Sequence, residues 1–192
     1  ETVIGGPSIN EKLIKLADQT LHNEIEFLAF SEGKKLKHDD LNFITIPDFS
    51  TYNLNDYFTP NPAIPLKTSS TCYYKQCTFC AHYAKVPYHE IPIDLIKKTV
   101  EKSGQKHFFL IDDMIPTNRL LELAKMFKPL NVSWSCQLKP TNQLDKKTLS
   151  ILKDSGLDMI MWGVESGNQR VLDLMKKGTH LPDIQFVLKS SH

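Results

Sequence analysis

The sequence predicts an α/β fold built on a parallel sheet. Three observations carry the prediction: short runs that are apolar on both faces, segments of helical period between them, and glycines where those segments stop. Pro65 to Thr71 reads as an extended stretch entering a loop. Ile93 to Ser103 has apolar residues at helical spacing, and His107 to Ile111 is a near-continuous apolar strand. Asn118 to Phe127 is helical and Val132 to Leu138 extended. Asp145 to Ser155 is helical again, with Gly156 as its stop, because glycine accepts the left-handed conformation that ends many helices. Met159 to Val164 is a strand, Asn168 to Lys177 a helix ending at Gly178, and Asp183 to Ser190 a last helix. The order is βαβαβαβα, and strands linked in this way gather their functional groups at their C-terminal ends. The loop after Thr71, Asp112, Gln137 and Glu165 all stand at such ends.

A chain of 192 residues with 41% hydrophobic side chains can bury an ordinary core. Its formal net charge is +1 and no Lys/Arg run stands out, so the sequence carries no nucleic-acid signal. No stretch approaches the roughly 20 apolar residues that cross a bilayer, and Glu1-Thr2-Val3-Ile4-Gly5-Gly6 does not read as a signal peptide. The expectation is a cytoplasmic chain with no membrane association. In such a compartment clustered cysteines favour metal or redox chemistry over disulfides. His22, His38, His89 and His180 lie in polar surroundings, and no chemical role is expected of them.

Three of the four cysteines, Cys72, Cys77 and Cys80, fall within nine residues on the loop that follows the first strand. That is a soft-metal site. Structural zinc and ordinary iron–sulfur sites take four protein ligands, whereas three thiolates on a cubane leave one iron open to a small molecule. His82, two residues beyond Cys80, would complete a Cys3His zinc site, so a non-catalytic zinc-binding structural module is the rival reading. Tyr83 reads as a residue lining substrate space. Cys136 alternates with Trp134 and Leu138 and is expected to point into packed material as a small hydrophobe.

Three stretches resemble the radical S-adenosylmethionine (SAM) superfamily, in particular its branch with a cobalamin-binding domain. They are the cysteine loop with Phe79 just before its last cysteine, the strand end His107-Phe108-Phe109-Leu110-Ile111-Asp112-Asp113, and the long run from Gly163-Val164-Glu165-Ser166-Gly167 to Lys177-Gly178. The likeness covers about residues 60 to 192. One departure is that four residues, Tyr73 to Gln76, separate the first two cysteines where the commonest family pattern has three. The resemblance implies a partial (β/α) barrel of radical SAM type, of which about four βα units can be read, in residues 66–192. Val3-Ile4-Gly5-Gly6-Pro7 and the stretch Ile25 to Gly33 resemble the closing and exit segments of a Rossmann-like cobalamin-binding domain, giving a remnant of it over residues 1–47. On the residues alone, Gly5-Gly6-Pro7 is equally a simple turn. Residues 48–65, rich in Asn, Pro and aromatics, read as a linker, and the chain reads as an internal piece of a longer protein.

The resemblance further implies that Cys72, Cys77 and Cys80 ligate a [4Fe-4S] cluster whose fourth iron takes SAM. Reductive cleavage of SAM to a 5′-deoxyadenosyl radical would then serve a cobalamin-dependent methylation, rearrangement or peptide modification. The implied partners are a small-molecule or peptide substrate and a reductant such as flavodoxin or ferredoxin. Phe79 is expected against the adenine, and Asp112, Gln137, Glu165 and Ser166 are expected among the SAM contacts. Other readings stay open: core packing for Phe79, capping for Asp112, a solvated strand terminus for Gln137 and Lys139. A radical SAM methylthiotransferase would need more cluster cysteines than Cys136 can supply. A zinc module has no use for the Gly163 to Gly178 run or the βα alternation.

Overall fold

The computed structural model describes residues 2–5, 9–21, 24–33, 46–50, 52–57, 61–80 and 88–191. Its contacts divide the chain into two units, Glu1–Thr45 and Ile46–His192. In the first, β1 (Val3–Gly5) pairs in parallel with β2 (Gln19–Leu21), and the short helix α1 (Glu11–Ile14) lies between them in sequence. Asn10 starts α1 because its side-chain oxygen accepts from the backbone N–H groups of Lys12 and Leu13, which have no partner inside the helix. A second helix, α2 (Glu24–Ser31), ends at Gly33, whose φ of +64° is left-handed.

The second unit holds a four-stranded parallel sheet in the order β3 (Ile64–Leu66), β6 (His107–Leu110), β7 (Ser133–Leu138), β8 (Leu157–Trp162). The strands are laid down side by side in chain order. With right-handed crossovers, that order puts the connecting helices on one face and curls the sheet toward a barrel. The helices are α3 (Ile93–Ser103), α4 (Thr117–Phe127), α5 (Lys146–Asp154), α6 (Gln169–Leu174) and α7 (Leu181–Ser190). Buried side chains of α3, α4, α5 and α7 share one cluster with Leu66, Leu110, Cys136 and Leu138 from the sheet, and Phe127 stacks on Trp134 at 5.2 Å. The predicted α/β architecture with its four βα units is the one observed. Phe49 and Leu54, in the stretch read as a linker, pack against this same core.

The opposite face of the sheet is open. Register places Pro65, Phe109, Ser135 and Met159 in one row across the four strands, and Gln137 beside Met161 further on. Ile111, Met159 and Met161 on this face are about half exposed. The lumen of a barrel is thus mostly apolar near its middle, where Ser135 is the polar member of the row.

One pairing was not foreseen, although its first strand lies in the stretch read as extended. Ser69–Ser70 (β4) and His89–Glu90 (β5) pair antiparallel, so the chain leaving the cysteine loop returns to the chain that entered it. Ser70 Oγ lies 3.0 Å from His89 Nδ1, and Ile91 N–H donates to Thr68 O at 2.9 Å. The buried Arg119 of α4 braces this neck by donating to Ile91 O, with Glu90 3.8 Å away.

Candidate functional site

Every strand of the main sheet ends at the same rim, and the chemistry-bearing side chains of the sequence collect there. The cysteine loop leaves that rim at Thr71, which has φ +47°, and passes Lys75 at φ +51°. Cys72, Cys77 and Cys80 are all free and partly exposed, and Cys80 N–H donates to Cys77 O at 3.3 Å in a tight turn. Among the described residues no three His, Cys, Asp or Glu side chains converge closely enough for one metal ion. His82 and Tyr83 lie outside the described residues. Cys136 faces the helices, fully buried, and burial pushes its thiol up to about 12.

Beside the loop stand two ammonium groups that the sequence did not mark as a pair. Lys139, just beyond β7, is 6% exposed and Lys177, after α6, is 9% exposed. Lys177 Nζ donates to Glu165 Oε1 at 2.8 Å and lies 5.6 Å from the ring centre of Phe79. Lys139 Nζ donates to Lys177 O at 3.2 Å and sits 3.4 Å over the ring of Tyr74. Burial pushes the Cys77 thiol up, and the charges of Lys177 and Lys139 pull it back toward the thiolate. Positive charge near a thiol favours its thiolate, the form that binds iron.

Glu165 lies three residues beyond β8 in a left-handed conformation, φ +62°. A side chain at Gly163 would crowd the pair, since a Cβ there would come 3.2 Å from Lys177 Nζ and 3.4 Å from Glu165 Oε1. The glycine therefore leaves room for an ion pair within the chain. Ser166 Oγ accepts from Asn168 N–H at 3.1 Å, and the Asn168 side chain caps α6. Gln137 is exposed at the end of β7, next to Met161. Phe79 is half exposed at the loop's turn.

Asp112 is placed differently from these groups. It is 3% exposed, and its carboxylate accepts from Thr68 N–H at 3.0 Å, Thr68 Oγ1 at 3.0 Å and Ser69 Oγ at 2.6 Å. It pins the entrance of the cysteine loop to the end of β6. Burial raises its carboxyl above the ordinary value of 3.8 although these hydrogen bonds pull the other way. The folded chain then holds this proton more tightly than the unfolded chain. The associated stability is complete below 3.8 and is lost as pH rises through the raised folded value. Asp112→Asn should remove that slope from a plot of melting temperature against pH. A variant whose profile keeps the slope would assign it to another group.

Comparison with known proteins bears on the family and the fold. The family model described as the Radical SAM superfamily matches residues 66–186. Cytidylyl-2-hydroxyethylphosphonate methyltransferase of Streptomyces wedmorensis is 27% identical over 170 residues, covering 78% of this chain and 32% of that protein. The chain thus spans about a third of the length of that curated relative. Among solved structures, the radical S-adenosylmethionine methyltransferase TsrM of Kitasatospora setae, with cobalamin and a [4Fe-4S] cluster bound, superposes with a TM-score of 0.55. Identity there is 15%, over 68% of this chain and 28% of TsrM. The same enzyme with tryptophan and the SAM analogue aza-SAM gives a TM-score of 0.55 at 14% identity, over 72% of this chain and 30% of TsrM. At these identities the likeness is one of fold.

Proposed function

The chain belongs to the radical SAM superfamily, and from that membership we propose that its second unit binds a [4Fe-4S] cluster through Cys72, Cys77 and Cys80 and presents SAM to it. The observation that supports this most directly is the three-thiol loop fastened to the rim of a parallel sheet beside Lys139, Lys177 and Glu165. When bound, the cluster supplies the electron that cleaves SAM to a carbon-centred radical. The chain's own residues hold and surround it. The neck of β4 and β5 fixes where the loop leaves the sheet, and Asp112 keeps that entrance rigid. Lys139 and Lys177 offset negative charge, Phe79 offers an apolar face to the adenine, and Glu165 accepts from ribose hydroxyl or amino groups of SAM. Gln137 and Ser166 complete the polar rim, while Phe109, Ile111, Met159 and Met161 give the lumen an apolar lining in which the one hydroxyl of the middle row, Ser135, donates to Phe108 O.

We extend the proposal to the protein that contains this chain: a cobalamin-dependent methyltransferase acting on a small molecule and drawing electrons from flavodoxin or ferredoxin. The relatives support it, since one is named as a phosphonate methyltransferase and the other holds cobalamin. The test is SAM consumption under strict anaerobiosis with a strong reductant, with and without hydroxocobalamin. Consumption that ignores hydroxocobalamin would remove the cobalamin part and spare the rest.

Glu165 gives a sharper test within the chain. Glu165→Gln should weaken SAM binding by about 1.5–3 kcal/mol, the usual worth of one charge-assisted hydrogen bond, while iron content stays unchanged. Titration of the reconstituted chain with SAM reads this directly. Unaltered affinity would leave Glu165 as the partner of Lys177 alone.

A further inference from the structure

We propose that Tyr74 is a positioning residue that locks the cysteine loop onto the turn after α6, so that the thiols and the Glu165–Lys177 pair form one rigid body. Its hydroxyl donates to Lys176 O at 2.9 Å, across 102 positions of sequence. Its ring covers the Lys139 ammonium at 3.4 Å. The end of the ring fills a notch at Gly178: a Cβ there would stand 2.2 Å from the hydroxyl and 2.9 Å from Cζ, and Gly178 itself has φ +61°. A second strut runs alongside, from Thr78 N–H to Met175 O at 3.0 Å.

Two of these contacts, the hydrogen bond and the cation–π contact, are directional and polar, which sets them apart from ordinary packing. Tyr74 is absent from the hydrophobic core cluster. It meets a carbonyl, an ammonium and a glycine. The loop needs such support, because Thr71 and Lys75 on either side of Tyr74 both hold left-handed backbone without being glycine. The four residues between Cys72 and Cys77 therefore include one whose side chain fixes the rest. Lys176 and Lys177 follow each other in the chain, so the carbonyl that receives Tyr74 is one residue from the ammonium that holds Glu165. A shift of the loop is in this way a shift of the Glu165 pair.

The inference concerns how the loop is held, and it stands apart from the reaction assigned above. Its first test uses the metal-free chain: the alkylation rate of Cys77 by iodoacetamide at fixed pH, resolved by peptide mass spectrometry, with hydrogen exchange at Thr78. Tyr74→Ala should raise both by about ten-fold or more, through loss of a hydrogen bond and a cation–π contact together. Tyr74→Phe keeps the ring and should raise them by about three-fold, which carries the test if the alanine variant fails to fold. Gly178→Ala should reproduce the alanine result from the far side by closing the notch. On the iron-loaded chain, Tyr74→Phe should keep its iron yet alter the electron paramagnetic resonance signal of the reduced cluster. Equal alkylation and exchange in wild type and the Tyr74 variants would overturn the proposal, as would an unaltered resonance signal. A wild-type chain that takes up no iron would sink the cluster assignment and leave the first two readouts valid.

Discussion

Replacing Cys72, Cys77 or Cys80 by Ala should each abolish the uptake of about four irons per chain on anaerobic reconstitution, whereas Cys136→Ala should leave uptake intact. The asymmetry follows from placement. The first three thiols are partly exposed on one loop, and Cys77 has two ammonium groups beside it. Cys136 is 0% exposed on the helix side of β7, with a thiol pushed up to about 12. No cluster reaches it without opening the core. Iron analysis with charge-transfer absorbance reads the outcome. Stoichiometric zinc without that absorbance would defeat the cluster and promote a Cys3His site using His82.

The largest stability loss from a single methyl group should come at Gly156. Its φ is +96°, and a Cβ would stand 2.0 Å from Val132 O and 3.2 Å from Val132 C. Both atoms are backbone, so no flexible side chain can give way. Gly156 O also accepts from Trp134 N–H at 3.0 Å, which joins the end of α5 to the start of β7. Gly156→Ala should cost at least about 3 kcal/mol, combining backbone strain with displacement of a core strand. Gly104 is the control: it ends α3 with φ +64° and has nothing within 4 Å of the same position. There the substitution should cost only about 1–2 kcal/mol, the usual penalty of left-handed backbone. Urea melts of the two variants give the comparison. Equal losses would show that conformation, and not close approach, governs Gly156.

The contrast between these glycines shows what the sequence could reveal. The period of α3, α4 and α5 was readable because each puts apolar residues on one face, and α5 also closes on Gly156. Leu157 joined β8 two residues before the strand was expected, because a register shift between Trp134 and Ser135 lets the pairing begin earlier. The helix expected from Asn168 to Lys177 stops at Leu174, since Lys176 turns left-handed at φ +51°. The strand β5 and its pairing with β4 escaped notice because His-Glu is too short and too polar to show alternation.

The site was legible where its members are neighbours in sequence and obscure where they are not. Three cysteines in nine residues announce themselves. The partners of Asp112 lie 43 and 44 positions away, and the carbonyl that receives the Tyr74 hydroxyl lies 102 away, so no local pattern could express them. Lys177 looked like an ordinary surface lysine at the end of a helix. Its one signal was the nearby Gly163, whose missing side chain makes space for the ammonium and the carboxylate together.

The antiparallel neck has an entropic meaning. Ser70 and His89 stand 19 positions apart, and bringing the ends of such a segment together costs a free chain on the order of 2–3 kcal/mol. Folding of the sheet, with Arg119 drawn against Ile91 O, meets that cost before any metal arrives. The same nine residues as a short peptide have no such closed frame. Affinity for a cluster is therefore a property of the whole second unit, and mutations at the neck should act on metal retention although they touch no ligand.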